Sequence, residues 1–534
     1  MNTRHLLHRC IVVSSILLAG FACRTADVAP PAGADHELSG GQALQRQPNI
    51  LFITADDLGF DSLGCTGCPL PDISPNLDRL ARQGLLIDHC HVAQPVCGPS
   101  RAAFITGTWP HRNGVMGHYN QPPKWFGPSP ITTNLPELLR SQGGYYTGVI
   151  CKNPTAQGWD VDVNHLQAGL GRDPSKFEQL TRDFIAAAAK ENKPFFLHAN
   201  PMDPHEYWAG QEYETKAWID AMMMNKPYET YPNGKPYPDP QVTYSADQIP
   251  VPPCWPNNAA MREDLRTYFN SVRRLDEVVG GILKGLQASG QEDNTLIVFI
   301  SDHGIGRAFA KWSLYPLGTR TPMIVKWPGV VKPGRRDSHS VISAIDVAPT
   351  LLEAAGVAVP DFMDARSILS ILRDTKRREK REMVFTCWNY MNNYPEQDAK
   401  FPAYTRDLHD KFDNYRPSRA IHSTRYTYVW NGWSDGKNEI PLEMSSSRMI
   451  RKILLATGHE DRARFEALRA REEFYDTVKD PGCLVNLINE PTLAQQIHEF
   501  RTELLKTMER TNDHETPNFR SDFQASRGAH PTGS

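Results

Sequence analysis

Four apolar runs along the chain each end in charged or imidazole side chains. They lie within residues 47–59, 145–152, 193–205 and 295–304. Uninterrupted apolar runs of this kind, rich in Ile, Val and Phe, are typical of buried parallel strands. Amphipathic stretches over 176–192 and 261–289 predict helices between them, and Ser74-Pro75 predicts the start of another. This alternation predicts an α/β fold, a mostly parallel sheet with helices on both faces.

The pattern changes beyond residue 381, where short strands are predicted at 384–388, 418–423 and 426–431, followed by a closing helix over 491–509. A chain of 534 residues exceeds what one hydrophobic core usually supports. We therefore predict a larger domain over 47–380, a smaller α+β domain over 381–512, and a polar, mobile tail over 513–534.

The amino terminus predicts export. Arg4, His8 and Arg9 precede an apolar run over 10–22 that is too short to span a bilayer, so residues 1–23 are predicted to be a signal peptide. Cys23 follows an imperfect lipobox, which leaves lipidation and ordinary cleavage nearby equally open. Residues 24–46 are rich in Ala, Gly and Pro and predict a disordered tether. The expected location is the periplasm or the outer membrane.

Composition narrows the class of protein. A net charge of −3 with 40% hydrophobic and 22% charged residues is ordinary for a globular protein and gives no reason to expect a nucleic-acid partner. Cys65-Thr-Gly-Cys68 resembles half of a zinc site, yet no second half follows, so a local disulfide or buried thiols are favoured.

The polar ends of the apolar runs are the first candidate chemistry. They supply Asp56 and Asp57, Lys152, His205, and Asp302 with His303. Open α/β sheets gather ligands at the carboxyl ends of their strands, so these side chains are expected to converge on one crevice. A solvated turn would explain any single pair, but four such ends together predict a site.

The segment from Cys97 to Arg101 is the second candidate. Pro99 and Ser100 can open a helix, with Ser100 as its cap, and the apolar residues over 102–105 continue it. An anion would then face the positive end of the helix dipole, with Arg101 one turn in.

Cys97, Pro99 and Arg101 stand in the spacing Cys-x-Pro-x-Arg, which resembles the signature of type I sulfatases of the alkaline-phosphatase-like superfamily. Residues 49–59 and 301–304 resemble the two metal motifs of that family, and the resemblance covers roughly residues 47 to 510. It implies a large, mixed but mostly parallel sheet sandwiched by helices, with a smaller C-terminal antiparallel sheet packed with a helix.

The resemblance also implies cofactors. A formylglycine-generating enzyme would oxidise Cys97 to formylglycine, whose hydrated aldehyde is the nucleophile. The implied metal ligands are Asp56, Asp57, Cys97, Asp302 and His303. An oxygen-rich donor set suits Ca²⁺ better than Zn²⁺, although Asn is commoner than His at the place of His303.

Roles for other side chains follow from the same resemblance. Lys152 and Lys311 would hold the sulfate oxygens, Arg101 would orient and activate the hydrate, and His205 would protonate the leaving group.

One motif departs from the family, which usually reads Gly-Lys-x-His where this chain has Cys151-Lys152-Asn153-Pro154. His118 or His165 could substitute in space, but both are predicted to be structural. The departure allows a slow enzyme or a non-catalytic glycan-binding relative.

Elements over 110–118, 203–205, 416–422 and 473–476 resemble the branch that contains heparan N-sulfatase. That branch implies an exo-acting enzyme on a sulfated saccharide, and we favour an O-sulfate over an N-sulfate. The predicted pocket residues are His118, Tyr207, Trp208 and Arg320. A metal phosphohydrolase of the same superfamily is the other alternative, but it would usually carry Thr or Ser in place of Cys97.

Overall fold

The computed structural model describes residues 47–116, 133–152, 171–205, 237–374, 381–390, 415–437 and 445–528. The predicted signal peptide and tether lie outside these residues. Among the described residues, no helix combines the length and the apolar character needed to cross a bilayer.

The larger sheet has seven strands. They are β1 (Asn49–Ala55), β2 (Leu85–His91), β3 (Tyr146–Cys151), β4 (Phe195–Asn200), β5 (Thr295–Ser301), β6 (Arg320–Lys326) and β7 (Arg335–Ser343). Their order is β3-β4-β1-β5-β6-β2-β7, and β6 alone runs antiparallel to its neighbours. The parallel pairing of Ala55 with Ser301 brings the ends of β1 and β5 to the same level. The residues that follow these two strands therefore start side by side.

Helices cover both faces of this sheet, as predicted. The helices in this part of the chain are α1 (Pro75–Arg82), α2 (Cys97–Thr106), α3 (Pro110–Asn113), α4 (Leu135–Ser141), α5 (Pro174–Lys190), α6 (Ala259–Ala288), α7 (Pro316–Thr319), α8 (Val347–Ala354) and α9 (Leu369–Leu372). Successive strand residues point to opposite faces. Leu51 and Ile53 accordingly join a core with residues of α5 and α6, while Ile50 and Phe52 join a core with residues of α2, α4 and α8.

The start of α2 differs from its prediction. The helix begins at Cys97 and its N-cap residue is Val96, so Ser100 is not the cap. The Ser100 hydroxyl instead donates to the carbonyl of Asp302 at 2.5 Å. The helix starts earlier, with the Ser100 N–H donating to the carbonyl of Val96 at 2.9 Å, and this places Cys97 in its first turn.

The smaller sheet is antiparallel and contains β8 (Val384–Tyr390), β9 (Arg416–His422), β10 (Tyr426–Asn431) and β11 (Glu472–Asp476). Their order is β11-β10-β9-β8. Helices α10 (Ser445–Ala456), α11 (Glu460–Ala467), α12 (Ala494–Arg510) and α13 (Thr516–Gly528) belong to the same half of the chain. The predicted fold class, including the second sheet, is confirmed.

The prediction of a polar, mobile tail from residue 513 is wrong for residues 513–528. Helix α13 buries Phe519 in the core of the smaller sheet, and Phe523 is buried against the Phe519 ring, with centroids 6.2 Å apart. Asp513 is buried as well and accepts two hydrogen bonds from Arg419 of β9, at 2.5 and 2.8 Å. Two aromatic anchors four residues apart, on one side of a helix, offset the polar character of the segment.

Candidate active site

Strand ends and the helix α2 terminus build one cluster of donor atoms. Single donor atoms of Asp56, Asp57, Cys97 and His205 lie within 4.8 Å of one another, and so do those of Asp56, Cys97, Asp302 and His303. Asp57 reaches this position with a φ of +67°, a conformation that residues with a side chain rarely adopt. Its backbone N–H donates to Asp302 Oδ1 at 3.1 Å, which ties the two strand ends together. The convergence expected from the sequence is therefore present.

Cys97 lies at the centre of this cluster, at the first position of α2. Its Sγ lies 3.3 Å from Asp56 Oδ1, 3.2 Å from His303 Nε2 and 3.4 Å from Lys311 Nζ. Burial raises the pKa of the Cys97 thiol, and the Asp56 carboxylate adds to the rise. The unmodified thiol is consequently a poor nucleophile at neutral pH.

His303 presents a defined nitrogen to the cluster. Its Nδ1 lies 2.9 Å from the carbonyl oxygen of Gly304, which can only accept a hydrogen bond, so Nδ1 carries the proton. Nε2 faces the cluster, 3.1 Å from Asp57 Oδ1. Hydrogen bonding of one ring nitrogen to a carbonyl is the usual way in which a metal-binding histidine is oriented.

Two lysines neutralise the aspartates. Lys311 Nζ donates to Asp57 Oδ1 at 2.8 Å, and Lys152 Nζ donates to Asp56 Oδ2. Burial alone would raise the pKa of Asp57, but Lys311 and the imidazoles of His205 and His303 outweigh it and lower the pKa to about 2. Lys152 similarly holds the pKa of Asp56 well below its usual range against the effect of burial. Both carboxylates are ionised and both lysines charged at neutral pH.

Arg101 is buried behind this cluster. Its guanidinium donates to Asp302 Oδ2 at 2.9 Å, to Asn200 Oδ1 at 2.7 Å and to the carbonyl of Ala55 at 3.3 Å. The arginine thus connects α2 with the ends of β1, β4 and β5. These contacts indicate that Arg101 orients Asp302, in addition to any direct effect on position 97.

His205 lies in the loop that follows β4. Buried ion pairs hold this loop in place. The carboxylate of Asp203 accepts from Arg172 and twice from Arg274, at 2.7 and 3.0 Å, and Arg172 also donates to the carbonyl of His205 at 2.6 Å. Removal of water from the ring lowers the pKa of His205 to about 4, against the attraction of Asp57 and Asp56. In the absence of an anion, the ring is neutral at pH 7.

The donor set fits a hard divalent cation. The candidate donors are carboxylate oxygens of the three aspartates, the Cys97 sulfur and one ring nitrogen each of His205 and His303, in two overlapping groups that share Asp56 and Cys97. Oxygen donors of this kind suit Ca²⁺, Mg²⁺ or Mn²⁺, while the imidazole also tolerates softer ions.

Several predicted pocket residues lie outside the described residues, namely His118, Tyr207 and Trp208, as do His165 and Pro154. Arg320 is described, and its guanidinium stacks over Phe60 at 3.6 Å while Nε donates to the carbonyl of Asp88 at 2.6 Å. These contacts give Arg320 a packing role, which the isolated sequence does not distinguish from a place in the pocket.

Sequence reasoning did not single out three residues that support the site. Asn200 accepts from Arg101, while Arg172 and Arg274 hold the loop of His205. Asn200 ends β4, so the rule that selected the other strand ends could have found it. The two arginines lie in a loop and a helix far from the site motifs, and only the fold brings them together.

A sheet whose strand ends place carboxylates around a helix N-terminus suits metal-assisted hydrolysis of an anionic ester. A sequence profile described as Sulfatase matches residues 48–357, which is more than half of the chain. The chain therefore belongs to the sulfatase family, and the predicted enzyme class, sulfuric ester hydrolase, is confirmed.

Individual relatives agree with this assignment. Over 504 residues the chain is 28% identical to N-sulphoglucosamine sulphohydrolase of Homo sapiens, covering 89% of this chain and 92% of that protein. A solved 2-O GAG sulfatase superposes with a TM-score of 0.59 at 21% identity, covering 89% and 94% of the two chains. The phosphonate monoester hydrolase of Agrobacterium radiobacter superposes with a TM-score of 0.57 at 17% identity, covering 87% and 96%. Likeness at such low identity shows the shared fold alone.

Proposed function

We propose that the enzyme hydrolyses sulfate esters or sulfamates at the end of a saccharide chain, using formylglycine made from Cys97 and one Ca²⁺ ion. The observation that carries this proposal is the position of the Cys97 sulfur, at a helix N-terminus and within 3.4 Å of Asp56, His303 and Lys311. The helix dipole and the two lysines favour an anion beside this atom.

Formylglycine at position 97 would supply an aldehyde whose hydrate is the nucleophile, and Ca²⁺ bound by the acidic cluster would supply positive charge for the sulfate oxygens. Asp56, Asp57, Asp302 and His303 would hold the ion. The carboxylates are ionised already, since the pKa of Asp57 is about 2 and that of Asp56 is lower than usual.

The chain's own side chains act on the sulfate group. The ammonium groups of Lys152 and Lys311 are charged at neutral pH and can exchange part of their contact with Asp56 and Asp57 for sulfate oxygens. Arg101 keeps Asp302 in place through its hydrogen bond at 2.9 Å.

His205 would donate a proton to the leaving oxygen or nitrogen. Its pKa of about 4 describes the ring without a bound anion. An entering sulfate group brings negative charge beside the ring, which favours the protonated form that a general acid requires. Arg172 keeps the backbone of His205 fixed while the ring changes its charge.

Maturation and reaction type can be tested together. Protein co-expressed with a formylglycine-generating enzyme should yield a Cys97 peptide that is roughly 18 Da lighter than the unmodified one. It should release sulfate from sulfated saccharides but no phosphate from matched phosphate esters. Cys97→Ser should lose turnover, whereas Cys90→Ala, a buried cysteine on β2, should keep it. An active, homogeneous preparation with unmodified Cys97 would refute the nucleophile.

The metal assignment needs its own variant. Asp57→Asn should lose both Ca²⁺ binding and turnover, because it removes one charged donor from the cluster. Asp88→Asn is the matched control, since that carboxylate is also buried but pairs with Arg336 instead. Equal Ca²⁺ affinity in the two variants, measured by calorimetry, would remove Asp57 from the ligand set.

A metal phosphohydrolase is the second candidate, and it is supported only by the fold shared with the phosphonate monoester hydrolase. Release of phosphate or phosphonate at the rate of sulfate release would favour it. A non-catalytic glycan-binding relative would bind saccharides in the same assay without turnover by mature protein.

The saccharide itself is proposed from relatives. One is named an N-sulphoglucosamine sulphohydrolase and a structural neighbour a 2-O GAG sulfatase, so both a sulfamate and a sulfate ester are candidate substrates. We favour an O-sulfate at a chain end. Comparing N-sulfoglucosamine with 2-, 3-, 4- and 6-O-sulfated monosaccharides decides between them, and turnover of the sulfamate alone would reverse the preference.

Export to the periplasm or outer membrane also remains a proposal, supported by the charged and apolar pattern of residues 1–23. Fractionation of cells that produce the wild type and Cys23→Ser tests it. A shift of Cys23→Ser from the membrane to the soluble periplasmic fraction would indicate lipidation.

A further inference from the structure

The segment that carries Lys311, residues 305–315, has an unusual backbone. Phe309 and Trp312 have φ values of +66° and +69°, in the left-handed region that residues with a side chain rarely adopt. Lys311 lies between them. Such conformations persist only where the surrounding structure holds them, so contacts to this segment determine where the lysine stands.

A buried carboxylate of the smaller sheet supplies one such contact. Glu473 of β11 is fully buried, and its Oε2 accepts from the hydroxyls of Tyr315 and Tyr475 at 2.6 and 2.7 Å. Its Oε1 accepts from Asn431 Nδ2 at 2.8 Å, and Arg469 donates to the Tyr315 hydroxyl. Tyr315 ends the segment that carries Lys311. A chain of hydrogen bonds thus joins the smaller sheet to the active-site loop.

The ring of Phe309 supplies the other contact. The guanidinium carbons of Arg462 and Arg469 lie 3.8 and 5.2 Å from its centroid, and the Phe465 ring stacks parallel to it at 6.5 Å. Cations over an aromatic face are attracted to it. Arg469 therefore contacts Phe309 before Lys311 and Tyr315 after it, and so holds the segment on both sides of the lysine.

We propose that Glu473 is a positioning residue of the active site. Through Tyr315 it holds the segment that sets Lys311 Nζ 2.8 Å from Asp57 and 3.4 Å from the Cys97 sulfur. Its consequence for turnover rests on the proposed function, whereas its effect on the loop does not. Glu473 belongs to the element over 473–476, and the catalytic roles proposed above give this element no function. Positioning of Lys311 would be its function.

Glu473→Gln tests the proposal against Glu472→Gln. Glu472 is the adjacent residue of β11 and also accepts several hydrogen bonds, but among the described residues its partners are Tyr428 and Arg501, which lie outside the Lys311 segment. Hydrogen exchange of the amides over 305–312 should become at least ~10-fold faster in Glu473→Gln than in Glu472→Gln. Equal exchange in the two variants would overturn the proposal.

Turnover provides the second readout. A displaced Lys311 loses its contact with charge that builds up in the transition state, so kcat should fall at least ~10-fold while KM changes less than ~2-fold. Faster exchange with unchanged kcat would also overturn the positioning role. An inactive mature wild type would refute the proposed function. The exchange comparison would still show whether Glu473 holds the Lys311 segment.

Tyrosine variants keep the test available if Glu473→Gln does not fold. Tyr315→Phe and Tyr475→Phe each remove one hydroxyl from the same oxygen of Glu473. Tyr315 belongs to the Lys311 segment and Tyr475 does not. Only Tyr315→Phe should accelerate exchange over 305–312 and lower kcat, and equal effects of the two variants would contradict the proposal.

Discussion

The sulfur of Cys97 lies 3.2 Å from Nε2 of His303, and Nδ1 of the same ring donates to the carbonyl of Gly304, which orients Nε2 towards Cys97. Position 97 therefore lies beside a side chain that is proposed to bind the metal ion. His303 stands where the sulfatase resemblance would place Asn more often, so it offers an imidazole nitrogen instead of an amide oxygen. The choice of donor should affect which ion is bound.

His303→Asn should raise the affinity for Ca²⁺ relative to Zn²⁺, because an amide oxygen is a harder donor than an imidazole nitrogen. Titration of metal-free protein with each ion, followed by calorimetry or thermal unfolding, measures the ratio. His303→Ala is the control and should weaken both ions. An unchanged Ca²⁺-to-Zn²⁺ ratio in His303→Asn would show that the side chain is not a ligand.

The larger sheet and most of the site could be predicted from the sequence, because β1 and β5 are uninterrupted apolar runs that end in Asp56 and Asp302. The rule that parallel strands present their ends at one edge is sufficient to bring such residues together. Position 97 was found through a short motif. Its surroundings also follow from the fold, since α2 starts at the same edge of the sheet.

Other features depend on contacts between distant segments. Ser100 is predicted as a cap but bonds to the carbonyl of Asp302, and the polar residues after 513 hide the anchors Phe519 and Phe523. Glu473 lies 158 positions from its partner Tyr315. Local patterns carry no information on such pairings, which arise only when the two sheets are in place.

The backbone at Cys151 explains why the family motif usually has Gly at this place. Cys151 ends β3 with a φ of +72°, a region that favours glycine, and Gly is the residue usually found at this place in the family motif. Cys151→Gly should therefore be more stable than Cys151→Ala by about 1 to 2 kcal/mol, since both lose the thiol but only Gly relieves the backbone. Chemical unfolding of the two variants measures the difference.

Cys90 provides the matched control for that comparison. It is a buried cysteine in the interior of β2, paired with strands on both sides. There the order should reverse, with Cys90→Gly less stable than Cys90→Ala by about 0.5 to 1 kcal/mol. The same order at both positions would contradict the interpretation of Cys151.

Arg101→Lys should destabilise the protein by about 3 kcal/mol although it keeps the charge. The guanidinium serves Asp302, Asn200 and a backbone carbonyl, and a single ammonium cannot satisfy all of these buried acceptors. Arg336→Lys is the control, because Arg336 also binds a carboxylate with two hydrogen bonds but is half exposed. Its cost should stay below about 1 kcal/mol. If urea unfolding showed the same loss of stability in the two variants, the three hydrogen bonds of the Arg101 guanidinium would not stabilise the fold as we expect.

Buried histidines should make the protein sensitive to acid. The ring of His422 is fully buried, lies between the hydroxyls of Thr386 and Thr427 at 2.9 and 3.0 Å, and stacks on His91 with centroids 4.4 Å apart. Burial lowers the pKa of His422 to about 3. Burial also lowers the pKa of His91, and the neighbouring His422 ring lowers it further. Neither ring takes up a proton in the folded protein near neutral pH.

Below about pH 6.5 the unfolded chain protonates these rings and the folded protein does not, so the free energy of unfolding should fall as the pH decreases. His422→Gln removes one such ring. The loss of unfolding free energy between about pH 6.5 and about pH 5 should then shrink by about 1.5 kcal/mol relative to wild type. Urea unfolding at the two pH values measures it, with His459→Gln, an exposed ring, as the control. If His422→Gln lost as much unfolding free energy as the wild type between the two pH values, the buried His422 ring would not cause the acid sensitivity.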